Sequence, residues 1–229
     1  MDNNDTFISL GDRGDMALLR DIAAGSEDAF MEIMNRYLPL ISRTTFRILC
    51  DRNDSEAVAK QVFIYLWHNF DQYDDRFTLE EWLLRRTFYL SRLRISRRRI
   101  LHLFGKRPAL FAVSKPKAEN TDDYITTQAW ELFCRTSLKM TPVQRVVFTF
   151  VDLEQLGQEK TAYVTGLFRY RVRIAEERAE KKLKDELAGY GKVDDYDAYV
   201  GFMRKVSDGL TDLEAIKRMI FDDLGLKLL

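Results

Sequence analysis

The chain has 229 residues, 46% of them hydrophobic and 31% charged, and its 36 Lys and Arg balance 36 Asp and Glu. That length holds one large domain or two small ones, each able to bury a core, while no apolar run approaches the eighteen or more residues of a membrane span. The acidic start, MDNNDTFISLGD, lacks the basic-then-apolar pattern of a signal peptide, and Cys50 and Cys134 are far apart without CxxC spacing; the expectation is a cytoplasmic protein with two reduced cysteines and no membrane partner.

Helical periodicity runs through most of the chain. GSEDAFMEIMNRYLPLISRTTFRIL opens at Ser26, a cap residue, with Ala29, Phe30, Ile33, Met34, Tyr37, Ile41 and Leu49 at three- and four-residue steps. DSEAVAKQVFIYLWHNF follows, with Asp54 or Ser55 as the expected cap. Thr78 and Glu81 form a capping box that starts the next helix. That helix carries RRTFYLSRLRISRRR, residues 85–99, with seven arginines and no acid. From Arg85 to Lys117 there are eleven Lys or Arg and no Asp or Glu, whereas the first thirty residues hold seven acids and two arginines. Such separation of sign predicts a face that binds a polyanion.

At 100° per residue, Trp82, Tyr89, Leu93 and Ile100 share one face, flanked by Leu83, Leu90 and Leu101. This is the expected core stripe. Arg85, Arg92 and Arg99 form a line on another face, edged by Leu84, Phe88 and Ile95. Guanidinium groups beside exposed rings suit a single strand of nucleic acid, because the cations hold phosphates and the rings stack on bases. The expected single-strand site is therefore Arg85, Phe88, Arg92, Ile95, Arg97, Arg98 and Arg99. A solvated helix face and a membrane-surface helix are the competing readings.

Periodicity fades over residues 105–121, where Pro108 and Pro116 lie among charges, and this stretch reads as a linker. A second helical unit begins near Asp122. Thr141, Pro142 and Gln144 mark another helix start. A short helix over QEKTAYVT, a turn at Gly166 and a long helix from about Phe168 to Leu187 form a helix-turn-helix layout. Arg169, Tyr170, Arg171, Arg173 and Ile174 stand at the start of the long helix, the end that enters a groove. Its apolar stripe is Val172, Ala175, Ala179, Leu183 and Leu187. Glu177 with Lys181 and Glu180 with Lys184 are expected ion pairs. Two further helices close the chain, the last with Thr211 and Glu214 as its cap. The expected fold class is all-α, with domains at 1–104 and 122–189, the linker between them and a helical extension at 190–229.

Catalytic chemistry has no foothold in this pattern. His68 and His102 lack carboxylate or cysteine neighbours at ligand spacing, and GxSxG, P-loop and GxGxxG motifs are missing. No catalytic residue, metal ligand or cofactor is expected.

Several stretches together resemble a family, the extracytoplasmic-function sigma factors of bacteria. GSEDAFMEIMNRY resembles their GDxxAFxxLxxxY, and DSEAVAKQVFIYLWHNFDQYD resembles DAEDIVQEVFLKLW. FTLEEWLLRRTFYL is similar to FxxWLxRIAxN, and MTPVQRVVF to LPxxQRxVF. From Leu153 to Leu183 the helix-turn-helix aligns without a gap. The resemblance implies that the chain binds RNA polymerase core through the helix around Asp54, with Glu56, Lys60, Gln61, Ile64 and Trp67. It also implies that the first unit captures melted promoter DNA and that the second reads duplex DNA through Arg169, Tyr170, Arg171, Arg173 and Ile174. An anti-sigma factor is a further implied partner.

The chain departs from the family pattern at Tyr89, Leu93 and Ser96 in the basic helix, and at Phe168 and Glu176 near the recognition helix. These departures motivate two alternatives. One is a degenerate factor that binds polymerase but is brought to DNA by another DNA-binding or RNA-guided targeting protein. The other is a regulator that occupies polymerase or an anti-sigma factor without initiating.

Overall fold

The structure is a computed structural model, and it describes residues 14–103, 121–190, 196–206 and 211–226. Every regular element among them is helical. The chain runs α1 (Asp15–Ala23), α2 (Glu27–Leu49), α3 (Arg52–Asn69), a 3-10 turn (Phe70–Gln72) and α4 (Leu79–Leu103). Then come α5 (Thr121–Lys139), α6 (Pro142–Phe148), a π-helical turn (Thr149–Leu153), α7 (Gly157–Thr165) and α8 (Arg169–Tyr190). The last helices are α9 (Tyr196–Val206) and α10 (Leu213–Leu224). The expected linker lies outside the described residues apart from Thr121, which opens α5.

Local chemistry accounts for the helix starts. The Ser26 hydroxyl accepts a hydrogen bond from Ala29 N at 3.2 Å, and Thr78–Glu81 and Thr141–Gln144 are both reciprocal capping boxes. Two cap expectations need correction. Asp51, not Asp54 or Ser55, caps α3 by accepting from Asp54 N at 2.8 Å. Asp212, not Thr211, caps α10 by accepting from Ala215 N. In each case the capping side chain stands three residues before the amide it accepts from, the reach this geometry needs.

Helices α1–α4 bury Leu18, Phe30, Ile33, Met34, Val62, Phe63, Leu66 and Leu83 together. Helices α5–α9 bury Trp130, Phe133, Phe148, Ala179, Leu183, Tyr199 and Met203. The two groups are not separate bodies. Phe46 at the end of α2 stacks on Trp130 of α5, with ring centroids 4.9 Å apart and planes 5° from parallel. Val146, Phe150 and Val164 join the core of the first group.

A buried carboxylate fastens this seam. Glu154 receives Arg43 Nη2 and Arg47 Nη1, each at 2.9 Å, and the Thr44 hydroxyl at 3.0 Å. Arg47 also donates to the carbonyls of Leu153 and Arg204. Buried charge is tolerated there because the carboxylate and the guanidiniums are paired and hydrogen-bonded.

The two C-terminal helices divide between the groups. On α9, Tyr199 donates to the Ala129 carbonyl of α5 at 2.7 Å. Helix α10 instead packs on α2 and α3, burying Ile216, Ile220 and Phe221 in the first core. Helices α9 and α10 therefore pack on different helix groups.

Candidate nucleic-acid interface

Beyond its first turn α4 turns the expected face the other way, although Trp82 and Leu83 are buried as expected. Leu84, Phe88 and Ile95 are buried, Phe88 at 7% exposure, whereas Tyr89, Leu93 and Ile100 stand 50%, 42% and 53% exposed. Phe88 and Ile95 are thus core residues and not part of a strand-holding surface. The reason lies in Thr87 and Ser91, both fully buried on the inward face. Thr87 donates its hydroxyl to the Leu83 carbonyl at 2.9 Å, which satisfies the polar atom within its own helix. Small side chains of this kind let α4 approach its neighbours closely. The signal was present in the sequence as Leu84–Thr87–Phe88–Ser91–Ile95, a stripe with two hydroxyls in it.

The arginines of α4 divide by partner. Arg94 donates to the buried Asp54 carboxylate through Nε at 2.9 Å and Nη2 at 2.5 Å. Arg98 pairs with Asp54 and also with Asp51 at 3.3 Å. Arg98 is thereby engaged within the fold, which corrects its place in the single-strand set. Asp54 is 3% exposed, so the acid expected to meet polymerase instead anchors α4 to the start of α3.

Arg85 is also engaged. Its Nη1 donates to the Val164 and Tyr163 carbonyls at 3.4 and 3.5 Å. These carbonyls lie at the C-terminal end of α7, where unpaired acceptors and the helix dipole favour a cation. Gly166 terminates that helix at φ 68°, and a Cβ there would sit 3.6 Å from Arg85 Nη2. Nearby, Tyr163 donates to the Arg76 carbonyl and its ring lies 4.6 Å from that of Phe77. Arg85 therefore joins α4 to the helix-turn-helix while remaining exposed, as expected.

Arg92, Arg97 and Arg99 are exposed as expected, and Arg92 lies over the Phe88 ring with its guanidinium carbon 5.6 Å from the centroid. They share the outward side of α4 with Tyr89, Leu93 and Ile100. Beside them is a cleft of about 240 Å³ lined by Tyr65, Trp82, Arg85, Arg86 and Tyr89. Arg86 stacks on Tyr65 at 3.5 Å from the ring centroid. A second cleft of about 470 Å³, lined by Gln72, Asp74, Arg76, Phe77, Trp82, Arg85 and Tyr163, shares Trp82 and Arg85 with it. Tyr65, Arg86 and Tyr89 are absent from the expected site because Tyr89 shares its helical spacing with the core residue Trp82, which is buried as expected at 8% exposure.

The start of α8 matches expectation more closely. Arg169, Tyr170, Arg171 and Arg173 are all exposed and Ile174 is half-buried. Phe168, 70% exposed, stacks on Tyr170 with centroids 5.9 Å apart. The inward stripe of Val172, Ala175, Ala179, Leu183 and Leu187 is buried. Lys184 pairs with Glu180 at 2.6 Å, but Glu177 stands by Arg173 at 4.0 Å instead of by Lys181. Glu176 accepts from Gln158 at 2.6 Å, which gives the acid at this inward position a partner. Burial, reinforced by Glu176 and Glu180, pushes the Asp152 carboxyl up to about 7.

On α3, Glu56 pairs with Arg52 at 2.8 Å, and Gln61 is exposed. Lys60, Ile64 and Trp67 lie three and four residues apart on one face and are half-buried. Helix α10 lies against this helix, with Asp223 taking Lys60 at 2.7 Å. Trp67 packs on Phe30, and Phe30 on Phe221, at 4.9 and 6.3 Å between centroids. Among the described residues no helix is long and apolar enough to cross a membrane.

Comparison with known proteins agrees with this geometry. No family model matches the chain. It is 27% identical over 178 residues to the ECF RNA polymerase sigma factor SigW of Bacillus subtilis (strain 168), covering 73% of this chain and 95% of that protein. In fold it is similar to CnrH, solved in complex with the cytosolic domain of CnrY. That match has a TM-score of 0.55 at 20% identity, over 76% of this chain and 97% of CnrH.

Proposed function

We propose that the chain is a diverged extracytoplasmic-function sigma factor, a non-enzymatic protein of transcription initiation, that binds bacterial RNA polymerase core in the cytoplasm and holds melted promoter DNA on the outward side of α4. The observation that carries this reading is the exposed set of Tyr89, Leu93 and Ile100 beside Arg92, Arg97 and Arg99. Rings and aliphatic surface receive unstacked bases while guanidiniums hold phosphates. The cleft between Tyr65, Trp82, Arg86 and Tyr89 offers flat faces on more than one side. The start of α8 supplies Arg169, Arg171 and Arg173 for the phosphates of a duplex groove, with Tyr170 and Ile174 towards the bases.

The polymerase contact is assigned to α3, with Glu56, Lys60, Gln61, Ile64 and Trp67, of which Gln61 is exposed and the others are half-buried. Asp54 is omitted because it is buried against Arg94 and Arg98. The complex that CnrH forms with a cytosolic domain supports a regulatory protein partner for this chain as well.

The test is reconstituted transcription with bacterial core polymerase. The expected result is co-elution with core and opening of promoter DNA, detected as permanganate-reactive thymines. The triple variant Arg92→Glu, Arg97→Glu, Arg99→Glu should bind core normally and fail to open the strands. Absence of core binding at micromolar protein would overturn the proposal.

A further inference from the structure

Helix α10 lies along the face of α3 that holds most of the residues assigned to polymerase. Lys60, Ile64 and Trp67 share one side of α3 and are half-buried. Asp223 of α10 takes Lys60 Nζ at 2.7 Å. Phe221 lies 6.3 Å from Phe30 between ring centroids, and Phe30 lies 4.9 Å from Trp67. Ile64 and Trp67 pack against the same core that buries Ile216, Ile220 and Phe221 of α10. One apolar surface therefore serves both α10 and the assigned contact.

The sequence of α10 explains why it seeks a neighbour. Ile216, Ile220 and Phe221 fall on one side, whereas Glu214, Arg218 and Asp222 are exposed on the other. A helix of 12 residues with such a face is not stable alone in water and gains its order by docking.

The docking is lightly tied. Among the described residues its polar link to α3 is the Lys60–Asp223 pair, whose carboxylate is 48% exposed. Exposed ion pairs contribute little, because water and salt screen them. Helix α4 is fixed to α3 quite differently, through the buried Asp54 that Arg94 and Arg98 share. Helix α10 also lies beyond the last stretch that resembles the family, which ends at Leu183. The match to SigW spans 95% of that protein with 73% of this chain.

We propose that α10 is a releasable cover of the α3 face on which polymerase docks, so that core and α10 compete for Lys60, Ile64 and Trp67. The proposal rests on the function proposed above. Its consequence is quantitative: the apparent affinity for core falls by the fraction of molecules in which α10 is released. With about 10% released, the loss is about tenfold.

Hydrogen exchange of the full chain, alone and bound to bacterial core polymerase, tests this directly. The amides of α10 should be protected in the free chain and lose protection in the complex, while those of α3 stay protected. Helix α10 equally or better protected in the complex would overturn the proposal.

Affinity for core gives a second reading. Asp223→Lys sets two cations against each other at Lys60 and should tighten core binding about threefold. Asp222→Lys makes the same change of charge on the solvent side of α10 and should leave affinity as it was. Ile220→Asp should release α10 outright and tighten binding at least about tenfold. Equal effects of the two lysine variants, or unchanged affinity in a folded Ile220→Asp, would overturn the cover and leave the proposed function standing. If Ile220→Asp does not fold, the exchange pattern of the wild-type complex decides. Core binding by neither the wild-type chain nor any variant would overturn the proposed function, and the cover with it.

Discussion

Helices α4 and α8 both carry arginine clusters, but they use them differently. On α4, Arg94 and Arg98 reach a buried aspartate, Arg85 reaches the end of α7, and Arg86 stacks on Tyr65. Only part of the run faces outward. On α8, Arg169, Arg171 and Arg173 all stand in solvent at the first turns. The count of charges is therefore a poor guide to a binding surface. What matters is whether an acid or a carbonyl end lies within reach in the folded chain.

The contrast can be broken most severely at its core. Phe88→Ala should destabilise the protein by about 3–4 kcal/mol, while Tyr89→Ala, one residue along, should leave stability within about 0.5 kcal/mol. Urea unfolding of the two variants separates the inward from the outward face of α4. If Tyr89 were the more costly, the assignment of faces would be wrong.

Asp54→Ala should cost about 2–3 kcal/mol, because it leaves Arg94 and Arg98 without their buried partner. Arg169→Ala on α8 should change stability by no more than about 0.5 kcal/mol. The same unfolding measurement checks both.

The inward side of α8 has a pH signature. Asp152 binds its proton more tightly in the folded chain, with burial and then Glu176, Glu180 and Asp197 raising its pKa against the lowering effect of Arg204. Its contribution is full below the ordinary aspartate value of 3.8 and is lost as pH rises through about 7. Asp152→Asn should remove that loss. Its advantage over the parent should grow from pH 5 to pH 8 and reach on the order of 2 kcal/mol once solvent screening is allowed for. Thermal melts across that range test it, and a constant offset would contradict it.

For binding, Tyr89→Ala should weaken single-stranded promoter DNA in the polymerase complex about tenfold, the effect of one lost stacking platform. Fluorescence anisotropy with a labelled strand reads this directly. The smallest expected effect is at the exposed Arg173–Glu177 pair on α8. There Glu177→Ala should alter stability by less than about 0.5 kcal/mol.

The amino-acid sequence by itself determined the helices and most of their starts. Three- and four-residue spacing, capping residues at Ser26, Thr78 and Thr141, and the exposed arginines opening α8 are local matters, decided by neighbours along the chain. The face that α4 buries was another matter. Two apolar stripes of similar weight run along that helix, and only packing against α2, α3 and α6 selects the one with Thr87 and Ser91. Likewise, residues 85 and 164 share no local pattern that predicts their meeting. Tertiary structure decided those contacts, because burying Phe46 on Trp130 and neutralising Arg47 on Glu154 bring distant segments into one seam, and that seam determines which charges face each other.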